Sequence, residues 1–179
     1  MLAKTDATEL LTIARDAITH QINNEAYRLE PRKEGPLTTQ SGCFVTITQQ
    51  GRLRGCIGHF QAQQPLFKEV AAMAVAAACH DPRFKPMDRA DLDNFELEIT
   101  ILSPLEKISD INQIIVGTHG IYIIKGSNRG VLLPQVATEY GWDRETFLQQ
   151  TCIKAGLPEN SWLHPEAELF IFSGEIIHE

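Results

Sequence analysis

Residues 42–58 read Gly-Cys-Phe-Val-Thr-Ile-Thr-Gln-Gln-Gly-Arg-Leu-Arg-Gly-Cys-Ile-Gly. Two runs of apolar and β-branched residues flank Gln49-Gln50-Gly51, the pattern of a β-hairpin. A three-residue loop with Gly51 in the left-handed conformation pairs Ile47 with Leu53, Val45 with Gly55 and Cys43 with Ile57. The opposite face then sets Thr48 against Arg52, Thr46 against Arg54 and Phe44 against Cys56. A slip of one residue would carry arginines into the apolar face, so the pattern resists it. In this register Cys43, Leu53 and Ile57 belong to the core. Arg54 and Cys56 share a polar face beside Thr46, and Cys43 and Cys56 are not bonded to each other.

The second strand carries the chemistry. Residues two apart in a strand point the same way, so Arg54 stands beside the Cys56 thiol, where a guanidinium favours the thiolate. Gly55 and Gly58 let a backbone or a ligand approach closely. A nucleophilic Cys56 also needs a base within hydrogen-bond reach. Strand alternation turns His59 away from it, and His80 sits near a helix C-terminus. His119, ahead of a later hairpin strand, is the preferred partner. The plain alternative is that Cys56 is a small apolar residue filling a tight site between glycines.

Outward from the hairpin, the spacing of Leu10, Leu11, Ile13, Ala14, Ala17 and Ile18 predicts a helix over Thr8–Tyr27. An alanine-rich helix follows from Pro65 to about His80, ended by Asp81-Pro82. Asp81 and Arg83 then either brace the turn or recognise an anion or carboxylate together with Arg54. Phe95–Ile101 alternates as a strand, with Glu96 and Glu98 on its outer side. Gly120–Lys125 and Val131–Leu133 form a second hairpin, a helix runs from about Arg144 to Ala155, and Glu168–Ile177 is a last strand. Gly156 supplies a left-handed cap to the helix that contains Cys152 and Lys154. Trp142 and Trp162 read as packing anchors. Hairpin followed by helix thus occurs twice, about 78 residues apart, with Gly42 and Gly51 matched to Gly120 and Gly130. The class is α+β, mostly antiparallel.

With 179 residues, 43% of them hydrophobic and 22% charged, the chain suits one globular domain spanning residues 1–179. A net charge of -7 disfavours a nucleic-acid surface. The longest apolar stretch, Val70–Cys79, is too short for a membrane span. No signal-type apolar core is seen, so the expected location is the cytoplasm. The four cysteines form no C-x-x-C pair and are expected to be reduced. Gly126–Gly130 lacks the Lys-Ser/Thr ending of a phosphate loop, and serine elbow, H-E-x-x-H and dinucleotide fingerprint are all absent. No cofactor or metal is expected.

Gly42-Cys-Phe-Val-Thr-Ile with Leu53-Arg-Gly-Cys-Ile-Gly58 resembles the signature of the AMMECR domain family. Further matches are Asp81-Pro-Arg-Phe84, Leu97-Glu-Ile with Leu102-Ser-Pro104, Gly117-Thr-His-Gly120, Leu132-Leu-Pro-Gln-Val136, Gly141-Trp142, and Lys154-Ala-Gly-Leu157 before Trp162. The resemblance covers about residues 40–172. In size the chain resembles the prokaryotic stand-alone form, called AmmeMemoRadiSam system protein A. The resemblance implies two related halves around a strongly curved sheet with flanking helices, and association with a Memo-type protein and a radical-SAM protein. It implies no established reaction.

Three functional expectations follow. The first is a polar or anionic small ligand, or a partner peptide, bound by Thr46, Arg54, Cys56, Asp81 and Arg83. The second is an enzyme with Cys56 as nucleophile or redox thiol and His119 as its base. The third is a structural adaptor whose glycines only permit tight packing.

Overall fold

A computed structural model describes residues 2–62 and 64–179 of the chain. They fall into two compact units, one made of the chain up to Leu102 with Glu175–Glu179, the other of Ser103–Gly174. Each shows antiparallel strands with packed helices, the α+β class expected. No helix among the described residues is long and apolar enough to cross a membrane.

The first unit begins with α1 (Lys4–Asn23), whose apolar stripe from Leu10 to Ile18 is buried. It stops four residues before the periodicity suggests. Asn24 takes the left-handed conformation at φ 58°, and the Asn24 and Glu25 N–H groups bond back to Gln21 and His20. The hairpin of β1 (Cys43–Gln49) and β2 (Arg52–His59) follows, then α2 (Leu66–Cys79) and β3 (Glu96–Leu102). Strand β1 lies between β2 and β3, so β2 is an edge strand. Cys43, Val45 and Ile47 pack with Leu97, Ile99 and the apolar faces of α1 and α2.

The hairpin register differs from the one the pattern predicts. Gln49 pairs with Arg52 across a two-residue turn, in which Gln50 and Gly51 both have positive φ, 51° and 72°. Two left-handed residues match the right-handed twist of the flanking strands, so this tight turn outcompetes the three-residue loop. The pairing then slips between Ile47 and Thr48: Thr48 faces Leu53, Ile47 faces Gly55, and Arg54 is the extra residue of a β-bulge. Beyond it Thr46 faces Cys56, Val45 faces Ile57 and Cys43 faces His59. The two-residue turn and the bulge together preserve side-chain parity from Gly55 onward and reverse it before. Cys43 is therefore buried, as expected, but Leu53 does not anchor the core and is 44% exposed. Arg54 also leaves the alternation that would have set it beside Cys56.

The glycines around Cys56 serve close contact. A Cβ on Gly55 would lie 2.1 Å from the carbonyl oxygen of Ala77, so α2 rests on bare strand backbone. A Cβ on Gly58 would meet the Phe44 ring at 2.4 Å.

The second unit contains β4 (Glu106–Ile108), β5 (His119–Lys125), β6 (Asn128–Leu132), α3 (Pro134–Glu139) and α4 (Arg144–Lys154), and takes in the first seven residues of β7 (Glu168–His178). Strand β5 pairs with both β6 and β7, and β4 adds to β7. Its core gathers Ile121, Ile123, Phe147, Leu148 and Cys152, with Trp142 and Trp162 packed at the margin. Short β4 and six-residue α3 are too brief for periodicity to disclose. Asp143 caps α4 by accepting from Thr146 N–H at 2.8 Å, and Gly156 ends it at φ 72°.

The two hairpin–helix halves match, with one amendment to the expected correspondence. Gly51 belongs to its hairpin turn, as Gly126 does to the other. The partner of Gly130 is Gly55: a Cβ on Gly130 would lie 2.6 Å from Ala155 N at the end of α4. Each half seats the C-terminal end of its helix on a glycine in its second hairpin strand.

Gly55→Ala and Gly130→Ala are each expected to destabilise by about 3 kcal/mol, because helix backbone or the base of a helix must move. Gly51→Ala, with open space around it, costs only the left-handed strain of about 1 kcal/mol. Urea unfolding of the three variants checks this order.

Candidate functional site

Cys56 lies in the middle of β2, and its own N–H and C=O point to the free edge of the sheet. There the turn after α2 closes on it. Asp81 Oδ2 accepts from Cys56 N–H at 2.9 Å, and Arg83 Nη2 donates to Cys56 O at 3.2 Å. Asp81 and Arg83 are joined by three further bonds, from the Arg83 backbone N–H to Oδ1 at 3.1 Å, Nε to Oδ1 at 2.9 Å and Nη2 to Oδ2 at 2.7 Å. Carboxylate and guanidinium thus replace the acceptor and donor that a neighbouring strand would offer.

Because the Cys56 peptide bonds outward, Thr46 and Cys56 form a non-hydrogen-bonded pair, the closer kind for side chains. The Thr46 hydroxyl lies 3.4 Å from Cys56 Sγ. The same outer face continues to Glu98, which pairs with Thr46, and Glu98 Oε2 lies 3.4 Å from His178 Nδ1. Thiol, hydroxyl, carboxylate and imidazole form one row across the first unit. At about 4.8 Å per strand, His178 stands about 14 Å from Cys56, beyond direct proton transfer.

The charges near Cys56 are already matched. The Asp81 side chain is only 2% exposed, and its bonds to Arg83 hold its carboxyl well below the usual carboxylate range. Arg54 donates to Lys85 O at 2.7 Å and to Asp91 Oδ2 at 3.1 Å. Burial is the largest influence on Asp91 and opposes its ionisation. The Asp88 N–H, the Gln49 amide and Arg54 together outweigh it and lower the Asp91 pKa. Arg54 lines a cavity of about 360 Å³ with Gln49, Gln50, Arg52, Leu53, Ala90 and Asn94. The Arg83 side chain stays 55% exposed.

His119 lies in the second unit, where its Nδ1 is 3.2 Å from Ile115 N and 3.1 Å from Gln113 O, engaged with the turn before its own strand. His59 faces opposite to Cys56, as alternation predicts, and bonds Glu69. All four cysteines are free. Burial raises the Cys43 thiol to about 12, with the Glu69 charge adding to the effect. Burial also raises Cys79 and Cys152.

Sequence reasoning overlooked Asp91 and Glu69. Asp91 forms a reciprocal cap with Asp88, so the spacing Asp88-x-x-Asp91 was its visible signal. Glu69 stands three residues after Leu66 and four before Met73, on the apolar stripe of its helix, where a carboxylate needs a partner.

With the geometry in place, comparison with known proteins settles the family. The AMMECR1 family model matches residues 11–177, across both units. The chain belongs to the AMMECR1 family. A protein of Methanothermobacter thermautotrophicus is 39% identical, with 99% of this chain and 96% of that one covered. Protein NEQ441 of Nanoarchaeum equitans is 38% identical, with 95% and 98% covered. The crystal structure of the uncharacterized protein PH0010 from Pyrococcus horikoshii is similar with a TM-score of 0.77 and 37% identity. That match covers 96% of this chain and 90% of the other. AMMECR1 is a family of uncharacterised function, so the meaning of the Cys56 surface rests on its own geometry.

Two outcomes are expected. Limited alkylation near neutral pH labels Cys56 before Cys79, with Cys43 and Cys152 last, as peptide mass mapping will read. Asp81→Asn lowers the melting temperature. The Asp81 pKa is lower folded than unfolded, so its ionised form stabilises the fold above the unfolded value of about 4. That contribution fades as pH falls through the folded value, and the gap between wild type and variant narrows below about pH 4.

Proposed function

We propose that this AMMECR1-family chain is a binding protein whose recognition surface is the outer face of the first unit around Cys56. Cys56 and Thr46 touch the ligand, a polar small molecule or a peptide segment of a partner. Asp81 and Arg83 fix the Cys56 backbone, and the exposed side of Arg83 is available to the ligand. Arg54 contributes indirectly by bracing the 85–91 loop. The family resemblance supports a Memo-type protein and a radical-SAM protein as working partners.

The observation that carries this reading is the built-in comparison between the two halves. Gly130 under Ala155 repeats the packing of Gly55 under Ala77. Where the first half sets Cys56 against Thr46, the second sets Val131 against Tyr122. The hairpin–helix unit therefore packs without a thiol at that pair, with an aliphatic and an aromatic side chain in place of cysteine and threonine. A thiol is therefore not a requirement of the shared packing, which argues against a purely structural adaptor. Binding is preferred to covalent catalysis because the thiol's hydrogen-bond neighbour is a hydroxyl and the arginines are held by carboxylates.

The test is protection of Cys56 from alkylation by purified Memo-type and radical-SAM proteins and by a small-molecule extract of the same cells. Slower labelling of Cys56, with Cys79 unchanged, is the expected result, together with loss of binding in Thr46→Val and Cys56→Ser. An unchanged Cys56 rate with all three additions removes the proposal.

A further inference from the structure

Away from the Cys56 surface, a carboxylate–imidazole pair stands in the wall of a cavity. Glu69, in the first turn of α2, has a side chain only 2% exposed, and its Oε1 lies 2.5 Å from His59 Nδ1. The His59 side chain is 58% exposed. Both residues line a cavity of about 740 Å³, with Gly58, Phe60, Gln61 and Gln64. That volume is within the range of small-ligand sites.

The chemistry of the wall narrows the occupant. A carboxylate only accepts hydrogen bonds, so Nδ1 of the bonded ring carries a proton toward Glu69, and in the neutral imidazole Nε2 is then the acceptor. Glu69 is enclosed and committed to His59, leaving it inaccessible to a cationic ligand. The described lining contains no lysine or arginine, so it offers no counter-charge to an anion. Gln61 and Gln64 bring carboxamides, which pair with N–H and C=O edges, and Phe60 brings an aromatic residue on which a flat ring packs.

We propose that this cavity is a second binding site, for a neutral planar heterocycle with N–H donors beside carbonyl or ring-nitrogen acceptors, the chemistry of a nucleobase. His59 Nε2 accepts one of the ligand's hydrogens, Gln61 and Gln64 read its polar edge, and Glu69 acts as the positioning residue that fixes the imidazole. The site is independent of Cys56, whose side chain points from the opposite face of β2.

Titration of the full chain with adenosine, guanosine, cytidine and uridine tests the proposal, followed by calorimetry and by the His59 ring signals in NMR. At least one nucleoside is expected to bind and move the His59 signals. Its 5′-monophosphate should bind more weakly. His59→Ala is expected to raise Kd about tenfold, the loss of one hydrogen bond, and Cys56→Ser to leave it unchanged. Glu69→Gln should weaken binding in the same direction; the exposed His59→Ala variant keeps the test decisive if Glu69→Gln unfolds. Absence of any His59 shift up to the solubility limit of all four nucleosides, or an unchanged Kd in His59→Ala, overturns it.

Discussion

The seating of α2 on Gly55 is the constraint on which the first unit depends. With no side chain between them, helix backbone and strand backbone approach to a distance that a single Cβ would forbid. The position of Ala77 on the strand then determines where the chain goes when the helix ends two residues later. Asp81, one helical turn beyond Ala77, arrives at Cys56, one residue beyond Gly55. A packing contact made by the smallest residue therefore delivers a buried carboxylate to the peptide group of its neighbour. The surface around Cys56 is a consequence of how the helix lands.

Electrostatics completes what packing begins. The segment after α2 buries Met87 and packs Leu92 against the core, and it is also tied to β2 at two places by ionic hydrogen bonds. Asp81 and Arg83 hold the Cys56 peptide, while Arg54 holds Asp91 and the Lys85 carbonyl. Each guanidinium satisfies a carboxylate and a carbonyl together, so neither leaves a buried charge unmatched. The bonds of Asp81 and Arg83 also occupy the free edge of β2 at Cys56, whose N–H and C=O would otherwise be open to another chain. An acidic protein thus spends two of its sixteen basic residues on its own backbone.

Much of this was legible in the sequence. Alternation at Cys43, Val45 and Ile47 placed the core side of β1, and the 3.6-residue spacing of α1 placed its buried stripe. The Asp-Pro stop put Asp81 and Arg83 just beyond α2. What escaped reading was the bulge. A two-residue turn plus one extra residue gives the same parity at Cys56 as a three-residue loop, so the pattern could not separate them there. They differ at Leu53 and Arg54, where one apolar and one charged residue near a hairpin tip carry little energetic preference for either side. Partners far along the chain, Asp91 for Arg54 and Glu69 for His59, depend on tertiary approach that no local period encodes.

The bulge also explains why the two halves differ in more than side chains. In the second hairpin the ladder runs regularly from Ile123–Gly130 through Ile124–Arg129 to Lys125–Asn128. In the first, an extra residue stands between the glycine and the turn, and it is Arg54. Without that insertion, strict alternation would return Arg54 to the face of Cys56, with its guanidinium beside the thiol. With it, the guanidinium goes to Asp91 and the thiol keeps the Thr46 hydroxyl as its neighbour. One inserted residue therefore separates two tasks that the shared spacing would have merged. The charge is spent on holding the loop, and the thiol is presented uncompensated by a cation of its own strand. That separation supports the proposed reading, in which the surface recognises through hydrogen bonds and shape and does not activate a nucleophile.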